Sequence, residues 1–87
     1  MNQKNENHQR NSYQLTINNP KLHGYDHHKI TEILVMNFKT LKYFCMADEI
    51  GKEGTPHTHV YVYFSSRVRF SKIKKHFEAA HIEPAYA

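Results

Sequence analysis

Two histidines separated by a single residue are the part of this sequence whose type and spacing best suit chemistry. His57 and His59 lie in residues 56–64 (PHTHVYVYF), a segment rich in β-branched and aromatic residues and therefore a predicted strand. Alternate residues of a strand point to the same face, so the two imidazoles would lie roughly 6 to 7 Å apart and could bind one metal ion. The alternative is a pair of exposed strand histidines with nothing bound.

A neighbouring carboxylate is a candidate third ligand. Residues 43–50 (YFCMADEI) also have strand character, and the polar loop of residues 51–56 is short, so the two strands are expected to form an antiparallel hairpin. Such a hairpin brings either Asp48 or Glu49 close to the histidines, and its register decides which. One carboxylate with two imidazoles suits Mn²⁺ or, with more bound water, Mg²⁺, and Zn²⁺ is also compatible with these ligand types.

The strand that precedes the first helix has an alternating pattern. Tyr13, Leu15 and Ile17 are apolar or aromatic, whereas the residues between them are polar, which is typical of a half-buried strand. The turn-forming residues 18–20 (NNP) end it. Asp26 is then a candidate N-cap for a helix whose apolar side chains recur at helical spacing: Ile30, Ile33, Leu34, Phe38 and Leu41.

A second helix and a short last strand complete the order of elements. Phe70, Ile73 and Phe77 share one helical face, and Ile82 indicates the start of another strand. The order β-α-β-β-α-(β) predicts an α+β fold, in which an antiparallel sheet has its helices packed on one face in the ferredoxin-like or split-βαβ style. Residues 1–11 have no Val, Ile, Leu or aromatic side chain and are expected to be a flexible arm, which leaves residues 12–87 as the folded domain.

Composition excludes several classes of protein. The longest aliphatic run, residues 33–36, is far too short to cross a bilayer, and the polar first dozen residues do not resemble a signal peptide. The one cysteine, Cys45, excludes an intrachain disulfide and is predicted to be a small core residue. Twelve Lys and Arg against eight Asp and Glu give a net charge of +4, which favours a polyanionic partner, most often nucleic acid.

Three segments together resemble a known family. Residues 13–20 (YQLTINNP) resemble motif I of the HUH-type replication initiators, the Rep proteins of rolling-circle plasmids and circular single-stranded DNA viruses. Residues 54–62 (GTPHTHVYV) resemble their motif II, in which a bulky residue separates two histidines. Residues 43–49 (YFCMADE) resemble the strand that carries the acidic ligand of the family. The resemblance covers about residues 13 to 84, nearly all of the predicted folded part.

The resemblance implies an HUH endonuclease fold and site-specific nicking and joining of single-stranded origin DNA at a hairpin or nonanucleotide-type site. It implies that Glu49, His57 and His59 hold Mn²⁺ or Mg²⁺, which polarises and positions the scissile phosphate. A tyrosine of motif III attacks the phosphorus, leaving a phosphotyrosine link and a free 3′-hydroxyl that primes replication. Residues of the motif I strand are implied to contact the origin DNA: Tyr13, Thr16, Asn18 and Asn19.

One motif of the family is not matched. Motif III is a helix with Tyr-x-x-Lys some way after the segment that matches residues 81–83, whereas this sequence ends at Ala87. Tyr86 lies too close to that segment and no lysine follows it, so it is not assigned as the nucleophile. We therefore expect a chain truncated before motif III, with the metal and DNA site but without the catalytic tyrosine. Its expected location is the cytoplasm if it comes from a bacterial plasmid or phage, and the host nucleus if it comes from a eukaryotic virus.

Four further side chains are candidates for contact with DNA. Tyr61 and Tyr63 continue the histidine face and either stack on unpaired bases or pack under a C-terminal helix. Arg67 and Arg69 either contact phosphates or belong to a solvated charged surface. The alternative function is a non-catalytic module of ferredoxin-like fold that binds single-stranded nucleic acid, and a structural Zn²⁺ site is disfavoured because no cysteine joins the three ligands. Metal binding distinguishes these hypotheses.

Overall fold

Four strands and two helices alternate in the order β-α-β-β-α-β in the computed structural model, which describes residues 8–85. The elements are β1 (Gln9–Asn18), α1 (His27–Asn37), β2 (Leu41–Ile50), β3 (Pro56–Arg69), α2 (Phe70–His76) and β4 (His81–Pro84). The strands form one antiparallel sheet in the order β2-β3-β1-β4. This arrangement confirms the predicted α+β fold with an antiparallel sheet.

The hydrophobic core lies between the helices and one face of the sheet. Ile30 and Leu34 of α1 and Ile73 of α2 are buried there. Alternate residues of β1 and β3 point into the same layer, as their sequence patterns predict. These strand residues are fully buried: Tyr13, Leu15, Ile17, Val60, Val62 and Phe64. Removal of such large apolar groups from water is the main force that holds the sheet and the helices together.

Within residues 8–85, neither helix packs on the second face of the sheet, which we call the open face. It consists of the half-buried or exposed residues that alternate with the core: Gln14, Thr16, Asn18, Tyr43, Cys45, Ala47, Glu49, His57, His59, Tyr61, Tyr63, His81 and Glu83. Cys45 is exposed on this face, so the prediction of a core cysteine is wrong. Strand alternation gives the reason, because its neighbours Phe44 and Met46 are the residues of β2 that pack against the core.

β1 and β3 are both longer than the apolar patterns predict. β3 continues to Arg69, and β1 begins at Gln9. Gln9 pairs with Arg69 beyond an irregularity of the β-bulge type that lies between Arg10 and Ser12. Residues 9–11 of the predicted arm therefore belong to the sheet, while residues 1–7 lie outside the described residues. The apolar pattern misses this pairing because main-chain hydrogen bonds, which any residue except proline donates, hold it together.

α1 begins where the sequence predicts. The Asp26 side chain accepts a hydrogen bond of 2.8 Å from the backbone N–H of Lys29, which satisfies one of the free donors of the first helical turn. The cap places His27, the first residue of the helix, beside the end of β2. In the part of the chain that the structure describes, both helices are too short and too polar to cross a membrane.

Candidate metal and nucleic-acid site

The β2–β3 hairpin brings Glu49 to the two histidines. Its register places Glu49 opposite His57 and Ala47 opposite His59, so the carboxylate shares the open face with both imidazoles. The Glu49 Oε1 atom lies 2.7 Å from Nε2 of His59, and the centres of the two histidine rings are 6.0 Å apart. Of the two acids that the sequence leaves as candidates, Glu49 is the one that lies beside the histidines.

The turn between β2 and β3 holds this register. The backbone N–H of Gly51 donates to the oxygen of Thr55, and the N–H of Gly54 donates to the oxygen of Gly51, both at 2.9 Å. Gly54 has a φ of 85°, a backbone conformation that residues other than glycine rarely adopt. Gly51 leaves room for the site, because a Cβ atom added there would lie 2.7 Å from Nε2 of His57.

Asp48 belongs to a separate cluster on the helix side of the sheet. Its Oδ1 atom accepts hydrogen bonds from Nε2 of His27 at 2.9 Å and from the Thr58 hydroxyl at 2.8 Å. These bonds, the one from His27 above all, lower the pKa of the Asp48 carboxyl below its ordinary value. Sequence reasoning misses the His27–Asp48 contact because it depends on where the start of α1 lies relative to the hairpin, and no local pattern carries that information.

β1 provides a partner for the Nδ1 atom of each histidine. Asn18 lies opposite His57 in the sheet, and its Oδ1 atom is hydrogen-bonded to Nδ1 of His57. Thr16 lies opposite His59, with its hydroxyl 3.3 Å from Nδ1 of that ring. An imidazole that donates from Nδ1 keeps its lone pair on Nε2 and can bind a metal there. The first strand therefore orients both candidate ligands.

The donor set suits a divalent cation, but the side chains are not arranged around one. Two imidazoles and a carboxylate supply the mixed nitrogen and oxygen ligands that suit Mn²⁺, and Mg²⁺ with more bound water. Within residues 8–85, however, no group of three or more His, Cys, Asp or Glu side chains is placed to hold an ion. Glu49 and His59 are hydrogen-bonded to each other, so a cation must replace that bond. A cation on Nε2 of His59 requires the ring proton to be on Nδ1. The Thr16 hydroxyl is compatible with either position of the proton, since it can donate to Nδ1 of His59 or accept from it.

Tyr61 and Tyr63 extend the histidine side of β3 across the open face. Tyr61 is half-buried, and its ring centre lies 6.1 Å from that of Tyr43 on β2. Tyr43 and Tyr63 are 56% and 41% exposed, so the described residues leave this aromatic patch accessible. Aromatic rings on an accessible sheet face are suitable platforms for the bases of single-stranded nucleic acid.

The structure contradicts the predicted DNA contact of Tyr13. Its side chain is fully buried in the core, and its hydroxyl donates to the backbone oxygen of Val68 at 2.6 Å. Alternation along β1 gives the reason, because the residues of this strand that belong to the open face are Gln14, Thr16 and Asn18. Asn19 lies in the turn after β1 with a positive φ of 51°, and its backbone N–H donates to the oxygen of Pro56 at 2.8 Å.

Arg67 and Arg69 lie away from the candidate metal ligands. Both are exposed near the end of β3 that is opposite to His57. They line a cleft of about 630 Å³ together with Lys39 and Lys72. The structure thus brings Thr16 and Asn18 of β1 to the histidines, whereas the two arginines form part of a separate basic surface.

Comparison with known proteins provides a family for this chain. No curated protein sequence matches it. Residues 10–86, which include both helices and all three candidate metal ligands, match a family of viral replication proteins. This match spans most of the chain and confirms the resemblance to replication initiators. The chain belongs to the family of viral replication proteins.

Proposed function

We propose that this replication initiator domain binds single-stranded origin DNA and takes part in its metal-dependent nicking and joining, with Mn²⁺ or Mg²⁺ held by Glu49, His57 and His59. The observation that carries the proposal is the contact of 2.7 Å between Glu49 and His59 on the open face, with His57 opposite Glu49 in the register. A divalent cation bound there supplies Lewis-acid polarisation of the scissile phosphate.

The residues around the ligands have separate roles in this proposal. Asn18 and Thr16 keep the imidazoles oriented through their Nδ1 atoms. Tyr61 and Tyr63 provide rings on which unpaired bases stack, which holds the strand across the open face. The net charge of +4 favours the approach of the DNA backbone.

In the proposed reaction, a tyrosine hydroxyl attacks the phosphorus. A bond from the tyrosine oxygen to phosphorus forms, the bond from phosphorus to the 3′ oxygen breaks, and that oxygen leaves as a hydroxyl after taking up a proton. The phosphodiester energy is kept in the phosphotyrosine link, so the reverse reaction reseals the strand. We assign the attacking tyrosine to motif III and to none of residues 8–85.

A second candidate function is a binding module for single-stranded nucleic acid without catalysis. The accessible rings of Tyr43 and Tyr63 on the open face favour it, since stacking on such rings requires no metal. Metal binding at the histidines separates the two functions.

A titration with Mn²⁺, followed by NMR line broadening of the His57 and His59 side chains, tests the proposal. We expect the NMR signals of both rings to broaden. We also expect Glu49→Gln to weaken Mn²⁺ binding at least as much as replacing a residue that is hydrogen-bonded to a metal ligand, which lowers metal affinity about 10–100-fold. Asp48→Asn is the matched control, because Asp48 points to the helix side and its neutralisation leaves the three ligands in place. If neither ring responds to millimolar Mn²⁺, the metal-dependent function is wrong and the binding module is favoured.

A further inference from the structure

A basic cleft lies at the end of β3 away from the histidines. Four cationic residues line it: Lys39, Arg67, Arg69 and Lys72. They come from the α1–β2 connection, from the end of β3 and from α2, so the fold gathers them from three places in the chain. A charged surface that merely keeps one helix soluble would not require such convergence. The cleft has a volume of about 630 Å³, large enough to hold more than one phosphate group with its sugar.

The charges of the basic cleft are not neutralised by the described part of the chain. The ion pairs within residues 8–85 are His27–Asp48, Lys29–Glu32, His59–Glu49 and His81–Glu83, and none of them includes a residue of the cleft. Lys72 is held in place by another contact, since its Nζ atom lies 5.1 Å from the centre of the Phe38 ring. Four cations that have no acidic partner within residues 8–85 are complementary to a polyanion.

The basic cleft and the candidate metal ligands lie towards opposite ends of β3. Six residues of β3 separate His57 from Tyr63, or about 20 Å at roughly 3.3 Å per residue. Arg67 lies four residue steps further along the same strand, so its backbone is at most about 33 Å from that of His57, in a molecule whose longest dimension is 36 Å. The rings of Tyr61 and Tyr63 lie between the two ends. A stacked single strand advances about 3.4 Å per nucleotide, so roughly ten nucleotides span about 33 Å.

We propose that the basic cleft binds backbone phosphates of the same single-stranded DNA whose scissile phosphate lies at the histidines, about ten nucleotides away along the strand. The inference rests on the proposed function and adds a second anchor to it. The cleft contacts phosphates and no base edges, so it increases affinity for every sequence of sufficient length. It therefore sets the minimum length of DNA that binds tightly.

Fluorescence anisotropy with oligothymidylates of about 4 and about 12 nucleotides tests the second anchor, since site sizes of single-strand-binding domains lie in this range. We expect the double variant Arg67→Gln/Arg69→Gln to bind the longer strand about tenfold more weakly and the shorter strand unchanged. The slope of log affinity against log salt for the longer strand should fall by about 1.4, or 0.7 for each lost phosphate contact.

The matched control removes two positive charges elsewhere. Lys29→Gln/Lys75→Gln lowers the net charge equally, but neither lysine lines the basic cleft, so the advantage of the longer strand should persist. Backbone NMR signals of Arg67 and Arg69 should shift with the longer strand and not with the shorter one. The second anchor is overturned if the arginine variant weakens both strands by the same factor or weakens neither. Failure of the metal-dependent function is a separate result, because it appears as the absence of a Mn²⁺ effect on His57 and His59.

Discussion

Asn18 makes the side-chain bond that decides which nitrogen of His57 is free. Its Oδ1 atom engages Nδ1 of the ring, so Nε2 keeps its lone pair. The replacement Asn18→Ala removes this constraint and allows the ring to turn and change tautomer. We expect the affinity for Mn²⁺, measured by isothermal titration calorimetry, to fall about 10–100-fold. Losses of this size follow when a residue that is hydrogen-bonded to a metal ligand is replaced.

The control for Asn18→Ala is Gln14→Ala. Gln14 is exposed on the same face of the same strand but lies opposite Tyr61, so its loss should leave Mn²⁺ affinity unchanged. Circular dichroism should show the same secondary structure for both variants. Equal Mn²⁺ affinities in the Asn18 variant and the unmodified chain would contradict the orienting role.

The buried hydroxyl of Tyr13 makes the stability of the folded chain depend on pH in the alkaline range. Burial raises the pKa of its hydroxyl above the ordinary 10.0, so the folded state retains the proton that the unfolded state loses. The stabilisation is therefore fully present below pH 10.0 and is lost as the pH rises through the folded-state pKa. Tyr13→Phe should remove part of this alkaline loss, as measured by urea unfolding near neutral pH and above pH 10.0.

Tyr13→Phe is also expected to lower the free energy of unfolding near neutral pH. The hydroxyl of Tyr13 donates to the backbone oxygen of Val68 inside the core, and phenylalanine leaves that oxygen without this partner. A loss of about 1–3 kcal/mol in the free energy of unfolding is expected. A Tyr13→Phe chain whose stability falls as steeply with alkaline pH as that of the unmodified chain would rule out Tyr13 as the source.

At the scale of helices and strands, local periodicity accounts for what the sequence could predict. The alternation in β3 separates the histidine face from the core, and the Asp26 cap marks the start of α1, because both patterns arise within a few residues. The choice between Asp48 and Glu49 stays open at that level. It depends on the register of the hairpin, which the hydrogen bonds of the turn at Gly51 hold in place.

Contacts between distant segments account for what the sequence could not predict. Gln9 pairs with Arg69 through main-chain bonds, so neither end of this pairing has an apolar signature. The contact of His27 with Asp48 joins a helix start to a strand end. The motif I resemblance implies that β1 contacts DNA but does not separate the two faces of the strand, so it does not exclude the buried Tyr13.

The cap of α1 can be tested by itself. Asp26→Ala removes the acceptor for the N–H of Lys29, so the free energy of unfolding in urea should fall by about 1 kcal/mol. Asp26→Asn is the matched control, since an asparagine side chain caps about as well as an aspartate. If the alanine and asparagine variants are equally stable, the side-chain cap contributes nothing and backbone packing alone defines the start of the helix.

Across the whole molecule, β3 is the element that connects the proposed activities. It has the histidines near one end, the tyrosine rings in the middle and the two arginines near the other end. Its alternate residues form the centre of the core, so the strand is rigidly held from the helix side. The distances between the two histidines, the tyrosine rings and the two arginines are thus set by a single extended segment.

Because the proposed nucleophile is a motif III tyrosine, none of the tyrosines within residues 8–85 is expected to form a covalent adduct with DNA. Among the described tyrosines, Tyr61 is the one nearest to His59 along β3, at about 7 Å between backbones two residues apart. Incubation with Mn²⁺ and a pool of random single-stranded oligonucleotides, followed by denaturing gel electrophoresis, measures the adduct. A stable adduct at one of these tyrosines would contradict the expectation, and the variants Tyr61→Phe and Tyr86→Phe identify the attacking residue. An adduct lost only in Tyr61→Phe would relocate the nucleophile from motif III to the open face, where the strand that holds the ligands would also perform the attack.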